Sequence, residues 1–196
     1  MSENKNKVAI VTGAAKNIGR ATCDSLSKLG YNILVHANSD KDGADETIKI
    51  IQKNNISTSR IIGDLTKPET SKELIFEASK LGDISVLVNN ASQREFNKFE
   101  DMTFDEWRFV MSINIDALFH TCKAVLPEMK KSNWGRIVNL GGLSAHISAI
   151  GRAHVITSKT AVVGFTRALA MEYAETGITI NTCLLYTSDA ADEITG

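Results

Sequence analysis

Cysteine is scarce in this chain, and its pattern excludes two kinds of protein. The 196 residues contain three cysteines, Cys23, Cys122 and Cys183. An odd number with no metal-ligand spacing argues against a disulfide framework and against a cysteine metal site. Reduced thiols in a cytoplasm are the simpler reading. Charge of one sign is lacking too. The net charge is −1, with no basic run and no interleaving of basic and aromatic residues, so neither nucleic acid nor an anionic membrane is an expected partner. No apolar stretch approaches the roughly 20 residues that a membrane span needs. Residues 1–7 lack the apolar core of a signal peptide. Proline occurs twice, at Pro68 and Pro127.

What is present is an alternation of strand and helix patterns. Val8–Val11 is a continuous apolar run, as expected of a parallel strand covered on both faces. The pattern predicts a helix from about Ile18 to Leu29, ended by Gly30. Further strands are expected at Tyr31–Val35, Thr58–Ile62, Ile84–Val88, Gly135–Leu140 and Ile178–Asn181. Helices are expected at about Asp42–Lys53, from Pro68, from about Phe104, and from about Ala153 to Ala174. Pro68 suits a first helical turn, where its missing N–H costs nothing. Repeated strand-helix-strand units imply an α/β fold with a doubly wound parallel sheet of Rossmann type, in the order 3-2-1-4-5-6.

The loop after the first strand carries the strongest chemical signal. It reads Thr12-Gly13-Ala-Ala-Lys16-Asn17-Ile18-Gly19 and leads into a helix. A helix N-terminus offers unpaired N–H groups and partial positive charge, which suits a pyrophosphate. Gly13 permits a tight turn and Gly19 a close helix-strand contact. Cofactor choice is read at the end of the second strand, where an acidic residue would favour a free ribose 2′-hydroxyl. Here the residues are His36-Ala37-Asn38-Ser39. Asn38 and Ser39 can donate to a 2′-phosphate and Lys16 can add charge, so NADP(H) is favoured over NAD(H). A solvated loop lysine is the competing reading of Lys16.

Together with Asn90-Ala91 after the fourth strand, Asn114 in the long helix, and Lys159, this pattern resembles the short-chain dehydrogenase/reductase family, 3-oxoacyl-acyl-carrier-protein reductase-like members included. The likeness runs from about Val8 to Asn181. It implies an NAD(P)-dependent oxidoreductase that interconverts a small carbonyl and an alcohol. It also implies a homodimer or homotetramer built through the two long helices, which carry Trp107, Phe119, Phe165 and Tyr173. By the same resemblance Asp64 and Leu65 lie at the adenine, Asp64 being equally readable as a turn aspartate. Lys159 binds the nicotinamide ribose, and Asn114 anchors water behind it.

The chain departs from the family at four places. Asn17 stands where a third glycine is expected, but asparagine tolerates positive φ better than most residues. Ser92 replaces a glycine after Asn90-Ala91. The family's proton-exchanging Tyr, four residues before the Lys, is replaced by Val155. The family's Ser, thirteen residues earlier, is replaced by Gly142. Valine cannot exchange a proton. Ser144, His154 and His146 are the substitutes to weigh, each against a plain polar role. Positions 155 and 159 lie about 40° apart around a helix, and 154 and 159 about 140° apart, so His154 points away from Lys159 if the helix has begun. Two functions stand open: an oxidoreductase with atypical catalytic residues, and a catalytically inactive NADP(H)-binding sensor or partner subunit.

The last residues read differently. After Asn181 the pattern loses both strand and helix periodicity, and residues 183–196 resemble a translated sequencing adapter. The expected organisation is one dinucleotide-binding domain over residues 1–182, truncated before the family's seventh strand, with a non-native tail.

Overall fold

The computed structural model describes residues 4, 6–142 and 147–184. Six parallel strands form one sheet in the order β3-β2-β1-β4-β5-β6. The strands are β1 (Lys7–Val11), β2 (Asn32–Ala37), β3 (Thr58–Ile62), β4 (Asp83–Asn89), β5 (Gly135–Leu140) and β6 (Ile178–Cys183). The helices are α1 (Asn17–Lys28), α2 (Lys41–Ile51), α3 (Pro68–Ser79), α4 (Phe104–Met111), α5 (Ala117–Lys131) and α6 (Ala153–Glu172). This is the expected doubly wound arrangement. β6 runs two residues past the expected end, because its ladder with β5 continues through Asn139–Thr182 and Leu140–Cys183.

Alternating side chains of the strands feed two cores. On one face Val8, Ile10, Leu34, Ile137 and Ile180 pack against Leu74 of α3, Leu118 and Met129 of α5, and Val162 of α6. On the other, Ala9, Val11, Ile33 and Val35 meet Cys23 of α1 and Ala44 and Ile51 of α2. Burial raises the thiol pKa of Cys23 and of Cys122 to about 12, which keeps both neutral. The register between β1 and β4 shifts after Val8, where Ile84 and then Val86 are the successive partners. Ser85 is the extra residue of this bulge, which moves the end of β4 by one side chain.

The expected long helix from Phe104 is broken in its middle. A capping box closes its start, with Thr103 and Glu106 each accepting from the other's backbone N–H. Residues Ser112–Asp116 then form a π-helical turn between α4 and α5. Phe104–Lys131 is long enough for a membrane span and contains an 18-residue stretch of mean hydropathy 1.3. Leu118, Val125, Leu126 and Met129 are nevertheless buried in the core against the protein's own sheet, as in a core helix.

Candidate active site

All six strands end on the same side of the sheet, and the candidate residues lie at or just beyond those ends. The first group is the turn after β1. Gly13 has φ 61°, and a Cβ there would meet the Cα of Ala91 at 2.9 Å. A Cβ on Gly19 would meet the Gly13 carbonyl oxygen at 2.5 Å. Glycine is thus required at both places by close backbone approach. Asn17 adopts φ 49°, so asparagine does take the left-handed conformation where the resemblance puts a glycine. Lys16 is the exposed N-cap of α1 and makes no side-chain cap bond, which leaves the helix N-terminus open. Ile18 is half-buried in the first turn.

Thr12 and Asn90 join β1 to β4. The Thr12 hydroxyl accepts from the backbone N–H of Asn90 and of Ala91, both at 3.0 Å. The Asn90 amide donates to the carbonyl oxygens of Thr12 and Gly13, at 3.0 and 2.8 Å. These two side chains therefore hold the turn in shape.

A cavity of about 170 Å³ opens beside Gly13, lined by His36, Asn38, Asp64, Leu65 and Ala91 among others. Asn38 and Ser39 are exposed at the end of β2. Asp40 is engaged as the N-cap of α2, accepting from Gly43 N–H at 2.9 Å. Asp64 accepts from Thr66 N–H at 2.9 Å, so it forms its own turn while lining the cavity.

The cavity shares Leu65, Ala91, Ile113 and Ala117 with a narrow cleft that reaches Lys159 and Asn114. Lys159 is buried, and its Nζ donates to the carbonyl oxygen of Leu140 at 2.9 Å. Burial lowers its pKa from 10.5 to about 8, and the positive charge of Arg94 pushes the same way. Asn114 sits within the π turn, 4% exposed. Its Oδ1 accepts from Gln93 N–H at 2.8 Å, and its Nδ2 donates to Gln93 O and to Ser158 Oγ, at 3.1 and 2.9 Å. Val155, also buried, carries the carbonyl that accepts from Ser158 Oγ at 2.8 Å.

His154 is fully buried, yet neither ring nitrogen has a hydrogen-bond partner among the described residues. α6 has begun at Ala153, so the helical separation from Lys159 applies. The charged groups acting on His154 are Glu95, Arg152 and Glu106, and it does not line the Lys159 cleft. Burial holds its pKa below the usual value. Ser144 and His146 lie outside the described residues.

Several site-shaping residues were missed in the sequence. Asn89 donates to Asn139 Oδ1, and Asn139 donates to Thr166, each at 2.9 Å, while Thr121 donates to Asn89 at 2.8 Å. This buried ladder links β4, β5, α5 and α6 beneath the cleft. The visible signal was an asparagine inside each apolar strand, since a buried amide has to find partners. His36 and Gln93 gave no local signal, because their partners lie far away in the chain.

The matches to known proteins span the stretch that carries these residues. The family model for short chain dehydrogenase matches residues 7–191. The chain belongs to this family. It is 34% identical over 177 residues to a 3-oxoacyl-(acyl-carrier-protein) reductase, FabG, of Staphylococcus epidermidis, covering 90% of this chain and 72% of that protein. It is 30% identical over 181 residues to a D-beta-hydroxybutyrate dehydrogenase of Rhizobium meliloti, covering 89% and 69%. Among solved structures, acetoin dehydrogenase YohF from Salmonella typhimurium superposes with a TM-score of 0.87 at 30% identity, over 95% of this chain and 78% of that one. This short-chain dehydrogenase is accordingly an oxidoreductase of the nicotinamide-dependent, carbonyl-alcohol class. Its residues fit such a cofactor: two glycines where a Cβ would clash, an open helix N-terminus, and a buried lysine in the adjoining cleft.

Proposed function

We propose that this protein is an NADP(H)-dependent oxidoreductase that interconverts a small carbonyl and an alcohol with atypical catalytic residues. The observation that carries the reading is the buried Lys159, held on the Leu140 carbonyl in a cleft that shares four wall residues with the Gly13–Asn38 cavity. When bound, the cofactor supplies or accepts hydride. Thr12, Gly13, Asn17, Ile18, Gly19 and Lys16 would hold its pyrophosphate end. Asp64, Leu65, Asn90 and Ala91 would shape the walls. Asn38 and Ser39 would meet the ribose that distinguishes NADP(H) from NAD(H). Asp40, the carboxylate that follows them, accepts from Gly43 N–H as the N-cap of α2.

The protein's own part is to hold the carbonyl and deliver a proton. Val155 occupies the position of the family's Tyr and has none to give. In this reading a water held by Lys159 and the Asn114 turn carries the proton, with Lys159 recharging it. Asn114 has spent its amide on Gln93 and Ser158, so it positions the loop after β4 and the start of α6. His154, Ser144 and His146 remain the other acids to test.

The second reading, an NADP(H)-binding protein without turnover, rests on Val155 and Gly142. One experiment separates the two: NADPH binding by fluorescence, together with NADPH oxidation over a broad panel of small carbonyls. Binding with turnover supports the enzyme. Binding with only the uncatalysed rate supports the sensor or partner subunit. Residues 1–182 are read as one domain, in a cytoplasmic protein. Exposed Phe104, Phe109 and Phe119 on α4 and α5 support a homodimer or homotetramer through these helices, whereas Phe165 and Tyr173 pack against the core of the protomer.

A further inference from the structure

His36 is the last but one residue of β2 and is 1% exposed. Both of its ring nitrogens are engaged, on opposite sides. Nε2 lies 2.9 Å from the carbonyl oxygen of Gly63, just after β3. A carbonyl can only accept, so Nε2 carries the hydrogen and Nδ1 is left with its lone pair. That lone pair accepts from the backbone N–H of Gly13 at 3.3 Å. The main chain of His36 adds a third tie, its carbonyl accepting from Ala14 N–H at 2.7 Å. One residue thus spans from the glycine turn after β1 to the turn after β3, and forms the wall between Gly13 and Asp64 in the cavity there. With both nitrogens spent, the ring has nothing left to offer a ligand directly.

We propose that His36 is a positioning residue for the cofactor: its neutral Nε2–H imidazole holds the Gly13 turn, and protonation of the ring releases that turn and weakens cofactor binding. A second proton can only go to Nδ1, where it would face the Gly13 N–H, donor against donor. The charged group that acts on the ring is Asp64, on the β3 side, and it favours the cation. On the β1 side the ring faces the uncharged Gly13 amide. Burial outweighs Asp64 and lowers the ring's pKa from 6.5, so the neutral form prevails at neutral pH. The proposal rests on the cofactor reading above, since Gly13 is assigned there to the dinucleotide.

The test is equilibrium binding of NAD⁺ and of NADP⁺ by calorimetry, for the unaltered protein and for His36→Gln, from about pH 7.5 down to about pH 4.5, below the usual histidine range because burial lowers the ring's pKa. NAD⁺ is needed because the 2′-phosphate of NADP⁺ itself titrates near pH 6. Glutamine cannot take up the proton, and its amide can keep the bond to Gly63. The unaltered protein is expected to lose NAD⁺ affinity as the pH falls towards the acid end of this range, while His36→Gln binds more weakly at pH 7.5 but with a flat profile. Melting curves at each pH confine the comparison to folded protein. Nitrogen-15 spectra of the unaltered protein supply a readout that needs no variant. They are expected to show the Nε2–H tautomer and a Gly13 amide shift that follows the ring's titration. Parallel pH profiles for the two proteins, or an Nδ1–H tautomer, would overturn the proposal alone. Absence of dinucleotide binding at every pH would overturn it together with the cofactor reading.

Discussion

Asn114 donates to Ser158 Oγ at 2.9 Å, joining the π turn to α6 one residue before Lys159. The same amide grips Gln93 from both sides, so the loop after β4, the π turn and α6 meet at one buried side chain. Replacing Ser158 with Ala removes the acceptor and also the bond to the Val155 carbonyl. Asn114 retains Gln93. The expected cost is about 1–2 kcal/mol of stability, read from urea unfolding. A cost near zero would show that Ser158 does not tie the turn to the helix.

Lys159 gives a stability prediction with a definite sign. Its pKa falls from 10.5 to about 8 on folding, so between those values the unfolded chain holds the proton that the folded chain has lost. Lys159 therefore destabilises the fold at pH 7, and that penalty fades as pH rises from about 8 to 10.5. The difference between the unaltered protein and Lys159→Met should change by an amount on the order of 3 kcal/mol across that window. Unfolding at pH 7 and at pH 10 measures it. A constant difference would contradict the buried ammonium.

The same group sets the pH dependence of any turnover. Carbonyl reduction consumes a proton, so the rate should fall as pH rises through about 8, and alcohol oxidation should show the opposite slope. Lys159→Met should abolish both. A flat rate between pH 7 and pH 9 would remove Lys159 from the proton path.

Gly13 and Asn17 separate the tolerance of two left-handed positions. Gly13→Ala brings a Cβ to 2.9 Å from the Ala91 backbone at φ 61°. It should cost about 2 kcal/mol or more, and most of the cofactor affinity. Asn17→Gly, at φ 49°, should be neutral or stabilise the unliganded protein by up to about 1 kcal/mol, because glycine adopts this conformation without strain. Thermal melts with and without NADPH read both effects. A harmless Gly13→Ala would mean that the turn is less tightly set than the geometry implies.

Val155→Tyr with Gly142→Ser tests the two functional readings against each other. If the protein binds cofactor without turnover, the double variant should acquire measurable NADPH oxidation, since the other groups are already in place. Activity that is high in the unaltered chain and falls in the double variant would support the atypical enzyme.

The strand order and most element bounds were legible in the sequence. β1, with its apolar run, and α1, ended by Gly30, are local patterns, and parallel crossovers leave few ways to assemble them. The glycine turn was legible for the same reason, and so was Asn17 as the residue that accepts positive φ. The bulge at Ser85 and the π turn at Asn114 were not, because each depends on the neighbour packed against it. The full burial of His154 without a hydrogen-bond partner among the described residues had no sign in the sequence.

By itself, the sequence determined which residue types stand after each strand, since periodicity and turn chemistry act over a few residues. Only the tertiary structure decided which of them meet. His36 reaches Gly13 and Gly63, and Asn89 reaches Asn139, across separations of 23 to 50 residues. Sheet register sets those meetings, and burial makes each one necessary, because a polar group removed from water has to be satisfied by whatever the fold brings beside it.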